Sequence, residues 1–155
     1  MAEPELEVVA DPTITAVDGA EPPTLAPAEW LRYQVISLAK GCRGNYRFIV
    51  RRDGAVLFAR NQRSDCTPPE RFDVPYPAAP TATLDSAARA SLAATIERVK
   101  FFQLAPGWRN RGGVDDGAMA ILDVAGPSGP HRVVVQQGDH PAVKAIHDAV
   151  MAHVR

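Results

Sequence analysis

Two β-prone runs, YRFIV at 46–50 and AVLFA at 55–59, flank Arg52-Asp53-Gly54. Aspartate before glycine between such runs is a strong hairpin signal, because glycine accepts the positive φ that tight turns need. The hairpin fixes which side chains share a face, since strand side chains alternate. A two-residue loop sets Cys42 opposite Asp65. A three-residue loop, or one bulge, is expected to pair Val50 with Phe58 and Cys42 with Cys66. In that register Cys42, Tyr46, Phe48, Val50, Val56, Phe58 and Cys66 point to one side, and the two cysteines come within reach of a disulfide. Such a bridge would contribute roughly 3–4 kcal/mol in the chain-entropy model. Two separate thiols are the alternative. A redox or zinc role is disfavoured, because there is no C-x-x-C pair and two thiolates build only half a zinc site.

The other segments arrange themselves around this hairpin. Residues 1–29 are acidic and proline-rich and read as a flexible arm, with Leu6–Val9 the place where an edge strand could form. Residues 30–155 read as a single domain. WLRYQVISL at 30–38 is a strand. Residues 67–83 hold five prolines and read as a connection across the fold, with a short edge strand available at Phe72–Val74. A helix follows with Asp85 as N-cap, Leu84 packing back, and Ala88, Leu92, Ile96 and Val99 as its buried stripe. AMAILDVA at 118–125 and HRVVVQ at 131–136 form a second hairpin around GPSGP, whose five residues predict a loop longer than a tight turn. Pro141 opens a last helix with Val143, Ile146, Val150 and Val154 as its apolar stripe. The fold class is α+β: a mainly antiparallel sheet of about five strands with two helices on one face, in the order β-β-β-α-β-β-α.

With 155 residues and 46% hydrophobic content, the chain can bury a core without metal or many disulfides. A net charge of −1 gives no overall pull toward nucleic acid or anionic membranes. No apolar run reaches the length of a membrane-spanning helix. As written, the start has no secretory signal and fits the cytoplasm. A chain beginning after a removed signal would read the same, and would be periplasmic or extracellular.

Few residues carry chemistry by their spacing. His131, His140, His147 and His153 form no H-E-x-x-H or i,i+4 pair. Asp115-Asp116 lacks the repeated oxygen ligands of a calcium loop and reads as a solvated turn. No G-x-S-x-G, P-loop or Rossmann glycine pattern occurs, so no cofactor is expected. Two surfaces stand out. Arg43, Arg47 and Arg51 alternate along the first hairpin strand, with Arg52, Arg60 and Arg63 nearby, and could meet an acidic partner or phosphates. Their blander role is a solvated face, although Ile49 and Leu57 share it and need cover. The second surface is PGWRNRGG at 106–113, where Trp108 beside Arg109 and Arg111 has the composition of a contact hot spot. The alternative is a tryptophan folded down over the first helix.

CRGNYRFIVRRDGAVLF, ERVKFFQL and the stretch AILDVAGPSGPHRVVVQQGDHPAVKAIHDAV together resemble a bacterial family of small uncharacterised domains of unknown function. There, a cysteine, a glycine and an aromatic strand open an Asp-Gly hairpin, and a helix closes on two phenylalanines. The corresponding residues here are Cys42, Gly44, Tyr46, Asp53-Gly54 and Phe101-Phe102, and the likeness spans about residues 32–154. It implies architecture only, since no activity comes with it. Members are often exported or lipid-anchored, which would suit a disulfide. The long insert at 61–83 and the GWRNRGG loop depart from the pattern. A looser likeness of layout to small bacterial inhibitors of thermolysin-like metalloproteases is analogy alone.

The expected function is a non-enzymatic domain that binds another protein, inhibition of a bacterial metalloprotease being one version. The rivals are a small hydrolase or metal-dependent enzyme built from Asp115, Asp116 and distant histidines, and a nucleic-acid-binding module.

Overall fold

The computed structural model describes residues 14–17, 23–37, 44–62, 72–110, 118–136 and 139–154. Among them are eight strands: β1 (Ile14–Val17), β2 (Glu29–Ser37), β3 (Tyr46–Arg51), β4 (Ala55–Arg60), β5 (Ala82–Thr83), β6 (Gly107–Asn110), β7 (Ala118–Gly126) and β8 (Gly129–Gln136). Two helices, α1 (Ser86–Arg98) and α2 (Pro141–Met151), complete an α+β fold. The strands make one sheet in the order β1-β6-β8-β7-β2-β3-β4-β5. All pairings are antiparallel except β6 with β8, so the sheet is mixed.

The sheet is wider than the expected five strands for three reasons. Ile14–Val17, inside the segment read as an arm, pairs with β6 as an edge strand. Gly107–Asn110, read as a loop, pairs parallel to β8. Ala82–Thr83 adds a short edge to β4, whereas Phe72–Val74 is not a strand. A two-residue strand, or a four-residue strand with glycine and asparagine ends, carries too little period-2 pattern to be read from sequence.

The first hairpin forms with a three-residue connection. Phe48 pairs with Phe58 and Val50 with Val56, two residues from the expected pairing of Val50 with Phe58. The parity is unchanged by an even shift, so Tyr46, Phe48, Val50, Val56 and Phe58 still share the core face. Cys42 and Cys66, and with them the expected bridge, lie outside the described residues. The second hairpin is tighter than expected. Its ladder runs on to Gly126↔Gly129, leaving Pro127-Ser128 as a two-residue turn with Gly129 at φ 110°.

Register carries the core face across the sheet. Tyr33 lies between Phe48 and Leu122, Leu122 meets Val133, and Val135 meets Trp108. Both helices lay their apolar stripes on this face. Leu92, Ile96 and Val99 come from α1 and its end, and Val143, Ile146 and Val150 from α2. Each such side chain contributes about 1.5–3 kcal/mol when fully buried. Asp85 caps α1 by accepting from the Ala88 amide at 2.8 Å, and Leu84 is buried beside it.

The opposite face holds buried charge. Asp123 on β7 is fully buried between its cross-strand neighbours Arg32 on β2 and Arg132 on β8. Arg132 donates to Asp123 Oδ1 at 2.7 Å and Oδ2 at 3.0 Å, and Arg32 donates to Oδ2 at 3.2 and 3.3 Å. These charge-assisted bonds satisfy a carboxylate that would otherwise be costly to bury.

Gly54 joins the hairpin to α1. It sits at φ 98°, its carbonyl accepts from the Leu84 amide at 2.8 Å, and a Cβ there would run into the Leu84 carbonyl oxygen. Gly129 is also at positive φ but has open space around it. Urea unfolding should therefore show Gly54→Ala costing about 2–4 kcal/mol, backbone strain plus collision, against about 1 kcal/mol for Gly129→Ala, strain alone. Equal losses would mean that the Gly54–Leu84 junction is not tight. In the same assay Asp123→Ala should cost about 3–5 kcal/mol, since it leaves two arginines facing each other.

Candidate functional site: a polar cleft at the start of α2

His140 begins the site. Its backbone is extended, and its Nδ1 accepts from the Ala142 amide at 3.1 Å, so the side chain caps α2 ahead of Pro141. From this cap, spacings of three and four place Val143, Lys144, His147 and Asp148 along one side of the helix. The sheet beneath supplies Tyr33 from β2, Tyr46 from β3, Ala120 from β7 and Val135 from β8. Together with Asp139 these residues line a cleft of about 220 Å³.

A hydrogen-bond chain crosses the cleft. The Tyr33 and Tyr46 rings lie side by side, 6.0 Å apart. Tyr46 Oη lies 2.7 Å from His147 Nε2, and His147 Nδ1 lies 2.8 Å from Asp148 Oδ1. The Asp148 carboxylate accepts, so Nδ1 carries a proton, and in that tautomer Nε2 accepts from Tyr46. Lys144 Nζ donates to the other Asp148 oxygen at 3.0 Å. The Tyr33 ring stacks on Phe48 at 5.2 Å and meets the His147 ring at 4.7 Å.

The electrostatics keep both phenols protonated. Burial pushes the Tyr33 hydroxyl far above the usual phenol range, with Tyr46, Asp139 and Asp148 adding to the rise. Burial also raises Tyr46, against the opposing pull of Tyr33 and Arg60. Bonds from His147 and Lys144 hold the Asp148 carboxyl below its ordinary range. Burial drops His140 to about 4, leaving it neutral near pH 7. With Nδ1 accepting from Ala142, the neutral ring's proton is on Nε2, a fully buried donor that meets no acceptor among the described residues.

The residues singled out in the sequence fall elsewhere. Trp108 is buried, 8% exposed, with Nε1–H donating to the Ala105 carbonyl at 2.7 Å and its ring 4.8 Å from His140. Its indole therefore packs inside, next to the cleft wall. Arg109 is exposed and donates to Gln136 Oε1 at 3.0 and 3.3 Å. Arg47 is not displayed as part of a solvated row. Its guanidinium lies against the rings of Phe72 and Tyr76, at 4.6 and 4.3 Å, and donates to the Val74 carbonyl. On the same face Ile49 and Leu57 are buried. Arg51 is exposed at the end of β3. Arg43, Arg63, Arg111, Asp115 and Asp116 lie outside the described residues.

Two of the four histidines, His140 and His147, thus share one cleft. Tyr46 had been read only as core and Tyr33 only as part of a strand, and Lys144 and Asp148 had not been singled out. The i,i+4 spacing of Lys144 and Asp148 was a visible signal for that pair. The meeting of Tyr46 with His147, 101 residues apart, had none. Among the described residues no three His, Cys, Asp or Glu gather closely enough to hold a metal, and no helix is long and apolar enough to cross a membrane. Neither a scan against protein-family models nor a search of curated proteins found a match for this chain.

The buried His140 makes stability depend on pH. Its pKa is about 4 in the folded protein against 6.5 when unfolded. The unfolded state thus takes up the proton first, and the folded state loses stability as pH falls from 6.5 toward 4. Above 6.5 this contribution is fully present. Chemical denaturation of the wild type should show a loss approaching 3 kcal/mol across that window, and His140→Asn, which keeps a capping oxygen but does not titrate, should lack that component.

Proposed function

We propose that this protein is a non-enzymatic protein-interaction domain, and that the cleft at the start of α2 receives one side chain of its partner. The observation carrying this reading is a concave site of about 220 Å³ whose walls combine phenols, imidazoles and carboxylates with Ala120, Val135 and Val143. That volume lies below the roughly 300–1,000 Å³ typical of drug-sized ligands, and suits a single side-chain group. Both phenols hold their protons, so the chain from Tyr46 to Asp148 orients hydrogen bonds rather than generating a nucleophile. Interaction through the arginines is less supported, because Arg47 is enclosed and Arg32 and Arg132 are committed to Asp123.

A small hydrolase is the second reading, and one observation favours it. Tyr46, His147 and Asp148 stand in the order of nucleophile, base and orienting carboxylate. Against it, the orienting carboxylate is 53% exposed and shared with Lys144, and the phenol's pKa is raised rather than lowered.

Ala120→Leu would fill the cleft floor without touching its polar groups. Wild type and variant should unfold at closely similar temperatures, while the variant loses one specific partner in affinity capture from the native organism. An unchanged partner set would remove the cleft from the interaction. Turnover of an activated ester such as p-nitrophenyl acetate by the wild type, lost in both Tyr46→Phe and His147→Gln, would establish the hydrolase instead. The expected result is no turnover above buffer.

A further inference from the structure

We propose that the side chain the cleft receives is basic, a lysine or arginine of the partner, with its charge at Asp139 and its stem on the cleft floor. This deepens the interaction reading and rests on it. Charge in the lining is unequal, with two carboxylates, Asp139 and Asp148, against one ammonium, Lys144. Lys144 Nζ bonds Asp148 Oδ2 at 3.0 Å, so those two charges cancel. In its neutral tautomer His147 adds nothing to the sum. Asp139 is exposed and has no ion-pair partner among the described residues, which leaves one uncompensated negative charge. The neighbouring groups respond to it. Burial raises both phenols most, and Asp139 and Asp148 raise them further. Lys144 is raised first by its bond to Asp148, and Asp139 adds to that rise. Each carboxylate contribution thus disfavours further negative charge in the cleft or favours positive charge. The start of α2 does not offset this. Pro141 has no N–H, the Ala142 amide is taken by His140 Nδ1 at 3.1 Å, and the Lys144 amide by the His140 carbonyl at 2.9 Å. Little remains of the donor set that makes a helix N-terminus attractive to anions.

Three classes of side chain can be compared with this site. An acidic one brings a second carboxylate toward Asp139 and finds Lys144 already engaged by Asp148. A neutral one gains contact with the floor but leaves the Asp139 charge unanswered. A basic one answers both parts. Its methylene stem lies against Ala120, Val135 and Val143, and its charged head stays in the wet mouth beside Asp139. Asp148 is bonded through each oxygen only once to a cation or imidazole here, so its remaining lone pairs add acceptors for the same head. Asp139 and Asp148 are both solvent-accessible, so the ligand meets them at the surface.

The test uses the full chain and glycine–X–glycine peptides blocked at both ends, followed through the amide resonances of Val143, Lys144 and His147 by NMR titration. Lysine is compared with N-acetyl-lysine and arginine with citrulline, pairs that remove the charge and keep the stem. Glutamate at X is the acidic probe. The lysine and arginine peptides should shift these resonances saturably, about 5-fold more tightly than their neutral counterparts, as for a partly exposed ion pair of about 1 kcal/mol. The glutamate peptide should bind most weakly. Asp139→Asn, an exposed change ahead of the helix, should erase the preference for charge. Lys144→Met leaves Asp148 uncompensated and should enlarge it, while added salt should shrink it. Ala120→Leu should abolish binding of every peptide, which places the response in the cleft. Neutral or acidic peptides binding as tightly as basic ones, or a preference unchanged in Asp139→Asn, would overturn the basic side chain while leaving the cleft as a binding site. No response to any peptide would overturn both.

Discussion

Everything in this structure depends on β2 lying in register between β3 and β7. Through that register Tyr33 faces Phe48 on one side and Leu122 on the other, while its neighbour Arg32 faces Ile49 and Asp123. A slip of one residue on either side would turn the Leu31–Tyr33 face outward and drive Arg32 under the helices. The two faces are stabilised by different physics. The helix side gains from apolar burial, which tolerates small shifts. The other side is held by the Arg32–Asp123–Arg132 bonds, which do not. Buried ion pairs often contribute little net stability compared with apolar replacements, so the main effect of this one is to penalise any other register.

The outer face extends the same logic to Arg47. Its position on β3 is outward, where an unpaired guanidinium beside Ile49 and Leu57 would be poorly placed. The stretch at 72–76 covers it, setting the Phe72 and Tyr76 rings against the guanidinium and offering its Nη2 the Val74 carbonyl. Cation–π contacts of this kind strengthen as water is excluded. Burial pushes the Tyr76 hydroxyl up to about 12, which keeps the ring neutral beside the arginine. The proline-rich segment is therefore a strap with a defined seat, and an arginine row that sequence alone offers to a partner is partly used inside the molecule.

What was legible in the sequence follows from which signals are local. The Asp53-Gly54 hairpin, the Asp85 cap, both helical stripes and the shared face of Tyr46, Phe48 and Val50 each rest on a few neighbouring residues, and the α+β class follows from them. The missed elements are non-local. Gly107–Asn110 becomes a strand because β8 and β1 lie on either side of it, and nothing inside GWRN states that. The exact pairing of the hairpin differs because a turn of three residues between Arg51 and Ala55 sets Val50 opposite Val56, two residues short of the expected Phe58. The cleft was least legible, since it unites residues from four strands and a helix. Only the helix contributes a pattern visible in the chain, with Pro141 fixing its start and Lys144, His147 and Asp148 following at helical spacing.

That arrangement also bears on whether the cleft binds or catalyses. A catalytic chain of donors concentrates reactivity at one end, with a buried carboxylate stabilising the charge that forms on the base. Here the order of burial is reversed. Tyr33 at one end is buried, while Asp148 at the other is half in solvent and already neutralised by Lys144. Moving a proton from Tyr46 to His147 would create a phenolate in the drier part of the cleft and leave the imidazolium beside a screened carboxylate. Both changes oppose the transfer. The same gradient suits recognition. The dry end holds Tyr33, Tyr46 and His140 rigidly, so little ordering remains when a ligand arrives. The wet end leaves Asp139, Lys144 and Asp148 accessible at the mouth. A site with its fixed groups inside and its charges at the rim has the layout of an interface pocket rather than of a reaction centre.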